Sequence, residues 1–111
     1  DRENGLERGG FFPHLILFYF GNANFYFMDI NDWRKKIDSL EDTLIALLNE
    51  RASYALEIGK LKKQLGLPVL DASRENEILE RVAKKSKGPL SADSVKLIFA
   101  TLMQETRKVE E

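Results

Sequence analysis

The chain contains no cysteine. Disulfides, thiol nucleophiles and thiolate metal sites are therefore excluded, and the absence is compatible with a reducing compartment such as the cytoplasm. Histidine is nearly absent as well. His14 is the single one, which excludes histidine clusters for zinc and Ser-His-Asp triads. Neither sign of charge dominates: 17 basic residues face 18 acidic ones for a net charge of -1, so nothing draws the chain to nucleic acid or to an anionic membrane. No apolar run approaches the roughly 18 residues of a membrane-spanning helix. What these absences leave, at 111 residues, is one domain with a modest core.

Composition changes sharply near Met28. Eight of the 11 aromatic residues precede it, from Phe11 to Phe27, and no Asp, Glu, Lys or Arg occurs between Gly9 and Met28. The stretch FFPHLILFYF has no helical period. With GNAN as a turn before FYF, it can pair as a strand hairpin. It lacks the basic start and small-residue cleavage site of a signal peptide. We expect residues 1–27 to be a dispensable aromatic extension, translated upstream or non-native, with Met28 as the natural start. The competing expectation is a regulatory or partner-binding strand. High β-propensity without charge also makes the segment an aggregation hazard.

After Met28 the chain is charged and periodic, and its pattern predicts an all-α fold of three helices. Ile30, Trp33, Ile37, Leu40, Leu44, Leu47, Tyr54, Ile58, Leu61 and Leu65 form an apolar seam with alternating gaps of three and four, apart from one missing slot between Leu47 and Tyr54. That is the period of a helix lying along another helix. Asp29 or Asn31 can cap this first helix, and Gly66-Leu67-Pro68 ends it. It is about 54 Å long at 1.5 Å per residue. Gly59 inside it costs about 1 kcal/mol, which suggests a close backbone approach there. A second helix starts after Asp71 and buries Ile78, Leu79 and Val82. A third starts at Ser91 and carries Val95, Phe99, Leu102, Met103 and Thr106 on one face. One long helix and two short ones cannot enclose a core alone, so the seam calls for a second copy of the chain, in a symmetric dimer.

Arg51 occupies that missing slot, where an apolar residue should be. An always-charged guanidinium in such a stripe is costly unless an anion meets it. That anion is either a carboxylate of the protein or one of a ligand. Lys62 lies 11 residues on, within about 20° of three full turns, and so faces the same way. Arg34 lies about 25 Å before Arg51 and about 100° round the helix, out of reach of the same ligand within one subunit. Arg74 sits in the first turn of the second helix, where a cation opposes the helix dipole. Glu110 continues the inward stripe of the third helix. Together these residues describe a basic pocket for a small dianion. A helical bundle or coiled-coil subunit without a ligand is the competing reading at this point.

The segments WRKKID, LLNER, IGKLK and PVLDASRE, in that order, resemble the all-helical chorismate mutases, and the likeness spans about residues 30–110. The resemblance implies the type II fold, an intertwined homodimer with shared active sites, and conversion of chorismate to prephenate on the route to phenylalanine and tyrosine. It implies that residues 28–111 form the mutase domain. In that family's terms Arg51 would hold a substrate carboxylate, and Arg34 of the other subunit would hold the dianion from the far side. Lys62 would donate to the ether oxygen. Arg74 would lie near the ring, Asp71 and Glu75 at the ring hydroxyl, and Ile58 and Met103 along the apolar wall. Thr106 stands where some members have serine. Glu110 stands where many have glutamine as the second donor to the ether oxygen. The rearrangement is concerted, so no cofactor and no metal is expected. Chorismate and a second copy are the expected partners, with a possible fusion or partner enzyme of the same pathway, and neither nucleic acid nor membrane among them. The alternatives are an isochorismate pyruvate-lyase on the same fold and a non-catalytic metabolite-binding dimer.

Overall fold

The computed structural model describes residues 16–20 and 24–111. The elements are β1 (Ile16–Phe20), β2 (Asn24–Met28), α1 (Ile30–Leu65), α2 (Ala72–Lys85) and α3 (Ala92–Glu110). They fall into two units, Asp1–Leu47 and Leu48–Glu111. The 36 residues of α1 begin in the first unit and end in the second.

In the first unit β1 and β2 pair antiparallel, from Ile16 opposite Met28 to Phe20 opposite Asn24. This is the hairpin that the uncharged aromatic run predicts. Gly21, Asn22 and Ala23 of its expected turn lie outside the described residues. One residue separates β2 from α1, and that residue is the cap. The Asp29 backbone N–H donates to Asp32 Oδ2 at 3.1 Å, and the Asp32 N–H donates to Asp29 Oδ1 at 2.9 Å. Two helix-end donors are thereby satisfied reciprocally. Asp29, rather than Asn31, is the cap. Ile30, Trp33, Ile37, Leu40, Leu44 and Leu47, the first half of the seam, are all exposed in the single chain, Leu40 by 69%.

In the second unit α2 packs against α3, and the remaining half of α1 meets α3. Gly66 ends α1 in the left-handed region at φ 68°, which costs glycine nothing. The Leu67 N–H then reaches back to the Lys62 carbonyl at 2.8 Å and the Gly66 N–H to that of Lys63 at 3.3 Å, closing the helix in a Schellman arrangement. Asp71 caps α2 through the Arg74 N–H, and Ser91 caps α3 through the Ser94 N–H. Ala55, Ile78 and Met103 form the buried apolar centre, joined by Thr106. Leu79 and Val82, expected inside, are half-buried. Gly59 is buried where α3 crosses α1. A Cβ there would lie 2.7 Å from the Glu110 carbonyl oxygen and 2.8 Å from its Cα. The expected close approach is therefore real, and its partner is the last turn of α3. Tyr54, Ile58, Leu61 and Leu65, the second half of the seam, are exposed.

Candidate active site

The second unit holds a cavity of about 350 Å³, within the size range of small-molecule sites. Its walls follow from helical spacing. On α1 it is lined by Arg51, Tyr54, Ala55, Ile58 and Lys62, one stripe of successive turns. The start of α2 supplies Asp71, Arg74, Glu75 and Ile78, and Val69 closes the loop between them. Met103, Thr106, Arg107 and Glu110 line it from α3, again a single stripe. Four cations thus face three carboxylates, a net positive lining.

Among the described residues Arg51 meets no carboxylate. Its Nη1 donates to the Thr106 hydroxyl oxygen at 3.0 Å, and that hydroxyl donates its own hydrogen to the Leu102 carbonyl at 2.7 Å. The Thr106 proton is thereby committed to the backbone, and its lone pair faces the guanidinium. A neutral oxygen fixes Arg51 in place without neutralising it.

Lys62 lies deeper. Its Nζ donates to the Val69 carbonyl at 2.6 Å and to Glu110 Oε1 at 2.7 Å. The two side chains are only 18% and 11% exposed. An ammonium has three donors, so one is left for a ligand. Glu110, the last residue of α3, therefore faces the cavity rather than water.

The start of α2 carries its polar groups differently. Asp71 uses Oδ1 to cap the helix, and among the described residues no donor meets its Oδ2. Arg74 lines the cavity, but its guanidinium pairs with Glu77 at 2.6 Å on the exposed side. Glu75 is paired with Arg107. Tyr54 donates to Glu50 Oε2 at 2.5 Å. That hydrogen bond, reinforced by the negative charge of Glu50 and slightly by burial, pushes the Tyr54 pKa above its ordinary value.

Of the residues expected at the site, Arg51, Ile58, Lys62, Asp71, Arg74, Glu75, Met103, Thr106 and Glu110 come together at this cavity. Arg34 lies in the first unit, is exposed, and is not among the lining residues. Arg107, Tyr54 and Val69 were not foreseen as site residues. The signal for Arg107 was present, because it lies four residues after Met103 on the same helical stripe. Val69 contributes a backbone carbonyl, which no sequence pattern announces. Among the described residues no group of His, Asp and Glu could hold a metal ion, and no helix is long and apolar enough to cross a membrane.

The profile of the family described as chorismate mutase type II matches residues 33–111. A chorismate mutase from Methanocaldococcus jannaschii is 32% identical over 78 residues, 69% of this chain and 79% of the relative. A bifunctional chorismate mutase/prephenate dehydratase from Neisseria gonorrhoeae is 39% identical over 77 residues, of which it contributes only 21% of its own length. The crystal structure of chorismate mutase from Helicobacter pylori in complex with prephenate superposes with a TM-score of 0.67 at 27% identity, covering 73% of this chain and 88% of that one. Both the sequence and the three-helix architecture place the chain in one family: it belongs to the chorismate mutase type II family.

Proposed function

We propose that chorismate rearranges to prephenate in the cavity of the second unit, at a site completed by a second copy of the chain. The observation that carries this reading is Arg51: a seam guanidinium oriented by a neutral hydroxyl, with its charge left for an incoming carboxylate. Arg51 holds one carboxylate of the dianion, and Arg34 of the partner subunit holds the substrate from the far side. Lys62 directs its third N–H to the ether oxygen. Ile58 and Met103 form the apolar wall, Arg74 lies near the ring, and Asp71 and Glu75 accept from the ring hydroxyl.

In the reaction one C–O bond breaks while one C–C bond forms, within a single molecule. No group is transferred to the protein and no proton need leave. Catalysis then consists of two physical tasks. The site holds the flexible substrate in its folded, reactive shape, and it places donors on the ether oxygen as negative charge grows there. Cations perform both. Glu110 helps only as the protonated acid, because a carboxylate has no hydrogen to donate.

The exposed seam of α1 supports a homodimer. Leu40, Leu44 and Leu47 in the first unit and Leu61 and Leu65 in the second are each more than half exposed, more apolar surface than single chains ordinarily leave in water. The family profile beginning at residue 33 supports the mutase domain starting near Met28, with residues 1–27 dispensable. The relatives include both a chorismate mutase and a bifunctional chorismate mutase/prephenate dehydratase, which supports a fusion or partner enzyme of the same pathway. The lack of cysteine supports work in the cytoplasm.

The test is purified protein with chorismate, followed by ultraviolet loss of substrate and NMR of the product. Prephenate as the sole product is expected. Unchanged chorismate, together with release of pyruvate from isochorismate, would replace this reading with the pyruvate-lyase.

A further inference from the structure

Glu75 faces the cavity from the beginning of α2, and Arg107 meets it from α3. Arg107 Nη1 donates to Glu75 Oε2 across 32 residues of sequence. The two side chains are 30% and 24% exposed. This sets the pair apart from Arg74–Glu77, whose members are both more than half exposed and lie along one helix. A contact shielded to this degree, between two elements and against a cavity, has consequences for what the cavity binds.

A bare carboxylate beside a dianion is repulsive, and weak screening in a partly buried site makes it more so. A carboxylate with both oxygens free can also turn. One charge-assisted hydrogen bond from Arg107 removes both problems. It compensates the charge of Glu75 and fixes Oε2, leaving Oε1 to accept from a substrate hydroxyl. We propose that Arg107 is a positioning residue of this site: it acts on the substrate through Glu75, making that carboxylate tolerable to a dianion and aiming it. The inference rests on the chorismate reading above.

Steady-state kinetics on the full chain with chorismate test it. Arg107→Met should raise KM about tenfold, the scale of a lost hydrogen bond to a charged group, with kcat changed less than about twofold, because binding common to ground and transition state is lost. In a Glu75→Gln background the same substitution should raise KM less than about twofold, since no carboxylate is left to compensate. Arg107→Lys should restore most of the loss. If Arg107→Met loses its helical circular dichroism, Arg107→Gln takes its place in both backgrounds. An equal KM factor in the two backgrounds would mean that Arg107 binds substrate directly, and an unchanged KM would mean that it binds nothing; either overturns the positioning role. A wild type that leaves chorismate untouched sinks the parent reading as well, whereas an active wild type with equal factors sinks the role of Arg107 alone.

Discussion

The proposed chemistry depends most on Glu110, which stands where the resemblance to the chorismate mutases implies a glutamine. In the free protein it is an ion-pair partner of Lys62, 2.7 Å away and nearly out of solvent. As a carboxylate it occupies a lysine donor and repels an ether oxygen gaining negative charge. As the neutral acid it releases the lysine and becomes a donor itself. Glu110→Gln supplies a neutral amide donor in its place. It should raise the rate severalfold at neutral pH. Substrate-limited rates of both proteins at pH 7 are the measurement, and equal rates would eliminate Glu110 as a catalytic residue. Glu110, like Arg51, was legible in the sequence as a charged group on an otherwise apolar stripe. Their immediate partners were not. Thr106 was expected among the substrate-binding residues, and in the fold its hydroxyl accepts from Arg51.

Among the elements, α1 is the one whose interior glycine is explained by packing. Alanine at position 59 would gain about 1 kcal/mol of helix propensity. It would also push a methyl group into backbone atoms of Glu110 at 2.7–2.8 Å, and no rotamer change relieves a backbone contact. Overpacking of this kind costs about 1–3 kcal/mol. Gly59→Ala should therefore lower the urea midpoint and, by displacing the end of α3 that carries Glu110, reduce activity more than about tenfold. A variant more stable than the wild type would show that α3 yields freely at this crossing. The hairpin that precedes α1 calls for a different experiment. A chain beginning at Met28 should keep its rate and gain solubility, because an uncharged aromatic segment is removed. A large loss of rate would make residues 1–27 part of the working enzyme.

For the whole molecule, the question is what covers the seam. A second copy offers the same seam in return, as a twofold axis requires. Sedimentation should find no folded monomer at micromolar concentration. The dimer also makes a prediction about shared sites. Arg34→Ala and Arg51→Ala should each be inactive, yet exchange of their subunits should return activity to about a quarter of all sites, because each heterodimer contains one intact pair. No recovery after confirmed exchange would show that Arg34 does not serve the partner's cavity.

By itself the sequence determined much of what depends on neighbours a few residues apart. The caps at Asp71 and Ser91, the stop at Gly66 and the seam of α1 follow from local hydrogen bonding and the 3.6-residue period. So does the grouping of Arg51 with Lys62, since a helix fixes the angle between its own side chains. Only the tertiary structure decided which side chains from different helices meet. Arg107 finds Glu75 across 32 positions, Lys62 finds Glu110 across 48, and Arg51 finds Thr106 across 55. The period of one helix does not specify its rotation or height against another. Those are set by packing, here by the absence of a side chain at Gly59, which brings the end of α3 onto α1 and with it Glu110 to Lys62.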